Sequence, residues 1–375
     1  MDFRLPEDHV ALVDLARTII REHCAPDRLT RLEQDGGWLD RDLWSSLASS
    51  GILGATLPVD VGGASLDSLA THGLLREVGA AAAHVPFYET VVLGARVIDR
   101  CASPDLRAAV LTGVVSGSVI LTAALEDEAG ADAARPTTSA EPNGEGWVLH
   151  GRKIAVPCAT IADHLVVSAV DPDGRTLLAL IAAGSEGLQI DAQKTPSDVP
   201  HGRILLDGVV IGAESVLAHA AAADEALADL LSHARVGLAS MQDGLVAQAV
   251  TMAAEHTSTR EQFGRPIATF QAVRQRVADA RIASEMLALT SLQAAWMLAD
   301  GLPATDEVLI AKWWAGEAGH VAMHAVQHVH GGIGVDREYP LHRLFGRAKS
   351  HEFSLGTSSH QLRDLGARIA SSVTA

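Results

Sequence analysis

An alanine- and leucine-rich stretch near the middle of this sequence constrains its fold more than any other feature. Residues 224–256, 271–298 and 306–329 repeat apolar side chains at helical spacing and are separated only by short loops. Alanine has the best intrinsic helix propensity, and helices this long, joined this tightly, bury their apolar faces only against one another, as an antiparallel bundle. Ahead of them the texture changes. Short β-type runs at 147–149, 165–170, 177–181 and 204–210 are broken by Asn143-Gly144, Asp173-Gly174, Glu186-Gly187 and Asp207-Gly208, pairs that suit tight turns. The first hundred residues are helical again. Leu12, Leu15, Ile19 and Ile20 share a face behind Pro6. Asp40 is placed to cap a helix carrying Leu43, Trp44 and Leu47 that stops near Gly51, and after Gly62-Gly63 residues 66–83 form a third. The expected class is α+β and mainly α: a helical domain over 1–117, a small antiparallel β domain over 118–220, and a C-terminal four-helix bundle over 221–375.

Charge narrows the function. With 29 Lys plus Arg against 46 Asp plus Glu the net charge is −17, which excludes a nucleic-acid binder working through a basic face. An apolar share of 48% with 20% charged residues gives enough material for a large core. The longest uncharged run, 108–125, is interrupted by Thr112, Gly113, Ser116, Gly117 and Ser118. It reads as a helix end, a turn and a buried strand, not as a membrane span. The opening Met1-Asp2-Phe3-Arg4-Leu5-Pro6 has no apolar signal core, and Cys24, Cys101 and Cys158 form no paired motif. The expected setting is a reduced, cytoplasmic one.

Three motifs invite a chemical reading. Gly331-Gly332-Ile333-Gly334 does not match a dinucleotide loop, since a helix precedes it; it reads as a helix stop. His320, His324 and His328 sit four apart on one helix face and two could bind zinc with a third ligand, but no supporting carboxylate pattern accompanies them, and no metal is expected. The stretch Arg260-Glu261-Gln262-Phe263-Gly264-Arg265-Pro266, followed by Phe270-Gln271-Ala272-Val273, differs in kind. A guanidinium beside a Gly-Pro turn can bond a pyrophosphate, and the glutamine can reach a ribose or adenine.

Taken with Gln327-x-x-x-Gly331-Gly332, Glu338-Tyr339-Pro340 and Leu355-Gly356-Thr357-Ser358, at matching separations, that stretch resembles the acyl-CoA dehydrogenase family across essentially the whole chain. The resemblance implies FAD shared across a subunit interface, an acyl-CoA substrate, no nucleic acid or membrane partner, and a dimer or tetramer. Arg260, Phe263, Phe270, Gln271, Gln327 and Gly331 would hold the dinucleotide half of the FAD, and Thr357, Ser358 and Ser359 match a further cofactor-contacting turn.

The same resemblance exposes departures. The family's reaction removes an α-proton with a glutamate while the β-hydrogen leaves as hydride. In the usual seat for that glutamate stands Leu355, and in the alternative seat, one residue before Arg235, stands Ala234. The family's flavin-bonding hydroxyls correspond to Leu125 and Ala131, within a segment whose Glu126, Gly130 and Asp132 match. The strand that backs the ring reads Ala155-Val156-Pro157. What would touch this chain's own flavin is lost, and what would reach a neighbour's FAD remains. The expectation is a non-catalytic partner of a related subunit carrying the glutamate, as in heteromeric bacterial enzymes of steroid side-chain or other lipid catabolism. Two alternatives stand beside it. One is a self-sufficient homo-oligomeric dehydrogenase using Glu352, His351 or His233 as substitute base. The other is a flavin-free binding or scaffold protein on the same fold.

Overall fold

The structure, a computed structural model, describes residues 5–128 and 132–374. Helices α1 (Glu7–His23), α2 (Pro26–Gln34), α3 (Arg41–Ser49) and α4 (Ser68–Ala80) are followed by a π-helical segment, Tyr88–Ala95, and by α5 (Arg96–Cys101) and α6 (Pro104–Val115). Asp40 caps α3 as expected, its carboxylate accepting from the Leu43 N–H at 3.0 Å; Asp67 does the same for α4. On α1 the buried face is Val13, Ala16, Ile19 and Ile20, and Leu15 turns outward at 45% exposure. It lies two positions from Val13, on the opposite side of the helical repeat.

Eight strands follow: β1 (Leu121–Ala124), β2 (Ser139–Asn143), β3 (Gly146–Pro157), β4 (His164–Val170), β5 (Thr176–Ala182), β6 (Leu188–Gln193), β7 (His201–Ile211) and β8 (Val216–His219). They form one sheet in the order β6-β7-β3-β2-β4-β5-β8, with β1 on β4. The sheet is mixed rather than purely antiparallel, because β1 and β2 both run parallel to β4. The run 108–125 divides into the end of α6, a turn and β1, as its composition predicts. Asn143-Gly144 and Asp173-Gly174 reverse the chain. Asp207-Gly208 does not: it lies inside β7, where Gly208 at φ +75° makes a bulge opposite Leu149 and His150, the other use of a left-handed glycine.

The long helices are α7 (Ala221–Thr259), α8 (Gln271–Ala299) and α9 (Thr305–His330), followed by α10 (Leu341–Phe353) and α11 (Ser358–Thr374). By length and composition α8 could cross a membrane; here it packs on α7 and α9 as a bundle helix. Between α7 and α8 the chain makes a small hairpin, β9 (Glu261–Gln262) and β10 (Arg265–Pro266). Helix α10 ties the three domains together. The Arg343 guanidinium grips Glu33 with two bonds of 2.6 and 3.1 Å, and that of Arg347 grips Asp198 at 2.8 and 2.7 Å while also donating to the Ala83 carbonyl.

The approach of α4 to α7 sets the site described below, because α7 supplies one of its walls. It depends on two glycines facing opposite backbones: a Cβ on Gly79 would collide with the Met241 carbonyl, and one on Gly244 with that of Arg76. Backbone atoms cannot step aside as a side-chain tip can. Gly244→Val is expected to cost about 3 kcal/mol or more and to lower Tm in a thermal melt. Gly366→Ala, in the open middle of α11, should raise stability by up to ~1 kcal/mol. Equal responses would show that α4 and α7 are not in backbone contact.

Candidate functional site

Where the three domains meet, the π-helical segment, β1, β3, α7, the loop 197–201 and the turn after α10 enclose a cavity of about 60 Å³. Tyr88, Glu89, Leu125, Glu126, Met241 and Leu355 line it. The turn is built with care. Leu355 sits at φ +53°, a left-handed conformation that costs a side-chain-bearing residue roughly 1–2 kcal/mol. Its N–H donates to Glu126 Oε1 at 2.5 Å, and Gln361 Nε2 donates to the carbonyls of Leu355 and Gly356 at 3.0 and 3.3 Å. Lys312 Nζ donates at 3.0 Å to both Gly356 and His351 carbonyls. The leucine side chain is left 9% exposed against the cavity.

Burial dominates the electrostatics. It pushes the Glu89 carboxyl up to about 7, with opposing contributions from backbone and Cys158 hydrogen bonds. Glu126 is likewise raised by burial, against the pull of its bond to Leu355 and the charge of Lys312. Lys312, almost wholly buried, is lowered to about 7 by desolvation and then by the nearby Arg235. Neither Glu89 nor Lys312 is marked by sequence pattern, since each gains its chemistry from burial alone. Lys153 and Asp127 behave differently: they pair at 2.9 Å inside the sheet, joined by Thr138 and Ser168, and are structural.

The expected substitute bases do not converge here. Glu352 is taken by Lys349 at 2.7 Å on the outside of α10 and is absent from the cavity wall. His351 does line the cavity, but its Nδ1 bonds Gln242 at 3.0 Å, and burial beside Arg347 pushes its imidazole down to about 3, leaving a very weak base. His233 faces a separate cavity and bonds the Asp229 carbonyl and the Ser68 hydroxyl. Ala234 is fully buried, and its carbonyl accepts from Tyr88 Oη at 3.0 Å.

On the other wall Leu125 is buried and apolar, and Ala155, at φ +50° beside a register shift, gives its N–H to Gln193. Pro157 uses its carbonyl to accept from Thr122. Gly130 and Ala131 lie outside the described residues. Asp132 turns away, capping Ala134.

The nucleotide-type residues collect at one end of the bundle. Arg260 follows α7 and is exposed; among the described residues its guanidinium makes no ion pair. Phe263 and Gly264, both at positive φ, form the two-residue turn of the β9-β10 hairpin, a type I′ geometry that holds Phe263 91% exposed. Phe263 meets Phe270 edge-on at 6.1 Å, and the Arg265 guanidinium lies 4.4 Å above the Phe270 ring. Gln271 starts α8. The stacked rings of His256 and His330, 4.5 Å apart, bring the end of α9, with Gln327 and Gly331, alongside. Thr357, Ser358 and Ser359 are elsewhere: Ser358 donates to the Trp313 carbonyl at 3.4 Å, about 20 Å along α9 from Gln327 at 1.5 Å per residue.

His320, His324 and His328 all lie on the exposed side of α9. Among the described residues a different trio, Glu33, His84 and Asp198, is close enough to share a metal, but Arg343 and Arg347 already occupy both carboxylates.

Known proteins align with this geometry. Family models match as the acyl-CoA dehydrogenase N-terminal domain over residues 6–118, middle domain over 122–209 and C-terminal domain over 225–370. Acyl-CoA dehydrogenase FadE27 of Mycobacterium tuberculosis is 36% identical over 99% of both chains. A chain in the crystal structure of the ChsE4-ChsE5 complex from Mycobacterium tuberculosis superposes with a TM-score of 0.93 at 36% identity, covering 99% of each. A chain of the Tcur3481-Tcur3483 steroid ACAD superposes at 0.91 with 40% identity, covering 98% of this chain and 99% of that one.

Glu89 offers a direct check on the cavity. A carboxyl whose folded value is raised to about 7 stabilises the fold fully below its ordinary value near 4.5, and that contribution is lost as pH rises through about 7. Glu89→Gln should therefore leave stability unchanged near pH 4.5 and raise it at pH 8, by at most about 3 kcal/mol. Parallel thermal melts at the two pH values give the comparison, and an offset of equal size at both would show that Glu89 is not held in its neutral form.

Proposed function

Since this chain belongs to the acyl-CoA dehydrogenase family, a family of oxidoreductases, we propose that it works as the non-catalytic partner of a related subunit that carries the glutamate base. The observation behind this reading is the turn at Leu355: a fully assembled seat for a base, presenting a hydrocarbon. Glu352, His351 and His233 do not replace it, for the reasons of geometry and proton affinity given above.

The residues around the cavity do not fit a flavin belonging to this chain. Leu125, Ala155 and Pro157 offer no hydroxyl, the Ala155 N–H is already bonded to Gln193, and about 60 Å³ is room for a few waters. The far end of the bundle fits the dinucleotide half of FAD better. Arg260 offers a guanidinium that is unpaired among the described residues for a pyrophosphate, Phe263 and Phe270 an aromatic face, and Gln271 and Gln327 amide groups beside the open backbone of Gly331. When bound, the flavin supplies the hydride acceptor; this chain's residues would hold its nucleotide from across an interface. The lengthwise gap to Thr357–Ser359 supports two separate contacts and not one continuous cradle. Partnership also agrees with the paired names of ChsE4-ChsE5 and Tcur3481-Tcur3483, and the second of these suggests a steroid-derived acyl-CoA as substrate class of the assembly.

A second reading keeps catalysis in this chain and draws on Glu126 and Glu89, the two carboxyl groups in the cavity wall. Against it, Glu126 is committed to the Leu355 N–H.

Purification of the chain alone and together with a co-expressed acyl-CoA dehydrogenase subunit that has the glutamate separates the readings by flavin absorbance and native mass. The expected outcome is FAD only in the mixed assembly. One FAD per chain in the solitary protein, with oxidation of an acyl-CoA, would overturn the partner role; no flavin in either preparation would leave a scaffold. In the mixed assembly Arg260→Ala should cut flavin retention by about tenfold or more, the scale of a lost charge-assisted bond. Undiminished retention would remove Arg260 from the cofactor contact.

A further inference from the structure

A second cavity, of about 210 Å³, lies between α4, the π-helical segment and α7. It shares no lining residue with the first. The π-helical segment divides them: Tyr88, Glu89 and Leu93 face the domain junction, whereas Val91, Val92 and Arg96 face the second cavity.

Its charged rim is already satisfied. Arg96 is bonded to Asp229 at 3.0 Å, Asp99 to Arg107 at 2.8 Å, and Asp67 to His9 at 2.8 Å. The Ser68 hydroxyl is held by His233. Between these polar groups the wall carries an aliphatic strip from Leu57, Leu75, Val91, Val92 and Val236. Among the described residues the Thr56 and Thr71 hydroxyls are free to turn either way, and one acceptor is left uncommitted. The Ser240 hydroxyl donates to the Val236 carbonyl at 2.8 Å, so its lone pair accepts from His72 Nδ1, also at 2.8 Å. That fixes the tautomer and leaves Nε2 of His72 a bare acceptor. His72 is only 7% exposed, yet among the described residues nothing bonds Nε2, and it is not one of the sealed, unpartnered atoms. It opens onto the cavity. Burial, with Arg76 nearby, lowers the imidazole to about 4, so it stays an acceptor at neutral pH.

We propose that this cavity is a second ligand site, built for an uncharged cyclic or branched alcohol whose hydroxyl donates to His72 Nε2 while its hydrocarbon part packs on the valines and leucines. Paired rim charges leave nothing to hold an ion. The volume exceeds that of an engineered 150 Å³ cavity that admits benzene, so a six-membered ring is accommodated.

Titration of the full chain, with its partner subunit if one is required for stability, tests this by calorimetry. Cyclohexanol should bind saturably with one site per chain. Cyclohexyl methyl ether, which keeps ring and oxygen but has no O–H, should bind about tenfold more weakly. His72→Phe should abolish the preference, and Val92→Phe, which fills the cavity without touching His72, should abolish binding of both. If His72→Phe fails to fold, the alcohol-to-ether ratio and Val92→Phe still decide. Equal affinities, no saturable binding, or binding that survives Val92→Phe would each overturn the proposal.

Discussion

The junction of the three domains depends on how one turn is held. Leu355 is kept in a left-handed backbone conformation by groups from three directions: Glu126 from the β domain, Lys312 from α9 and Gln361 from α11. Two of these are ionisable, Lys312 fully buried and Glu126 partly so, which is costly in isolation. The turn between them resolves the difficulty, because its N–H and carbonyls are the hydrogen-bond partners each charge needs. Every one of those bonds is to backbone. A backbone clamp is indifferent to the side chain it presents, so on the proposed reading the same turn can hold a base in one chain and a hydrocarbon in this one.

The elements readable in the sequence were those set by local period. Residues 224–256, 271–298 and 306–329 announce helices because their apolar spacing repeats over many turns, and Asp40 announces a cap because its side chain acts within three residues. The misread elements required tertiary information. Gly208 takes a left-handed conformation either at a hairpin end or at a bulge, and only its pairing with β3 decides which. The parallel register of β1 on β4 follows from how α6 delivers the chain to the sheet, which no run of residues encodes.

The site divides along the same line. On the proposed reading Leu355, Ala234 and the Arg260 stretch are visible through family resemblance, since each corresponds to a motif position. Glu89, Lys312 and Gln361 are not, because what distinguishes them is burial. Closeness along the chain also misled: His233 adjoins Ala234 yet is turned to a different cavity, as neighbouring helical positions lie about 100° apart. His351, although in the cavity wall, has been made too weakly basic by the same burial that put it there.

A division of labour between two related chains follows from geometry on the proposed reading. In a symmetric pair built from one sequence, each cofactor site draws one half from each protomer, and both halves must be retained in every copy. Once the pair is made of two different chains, each site can draw its halves from different sequences. A chain that supplies only the nucleotide contact is then free to close its own ring seat. On that reading Leu125, Ala155, Pro157 and Leu355 narrow the cavity where three domains meet, and Leu125 and Leu355 add to the core there. Meanwhile Phe263 remains 91% exposed on a turn that is strained for a phenylalanine. Phe263 packs edge-on against Phe270 and helps turn the β9-β10 hairpin, and on the proposed reading its open face is contact surface for the nucleotide held from across an interface.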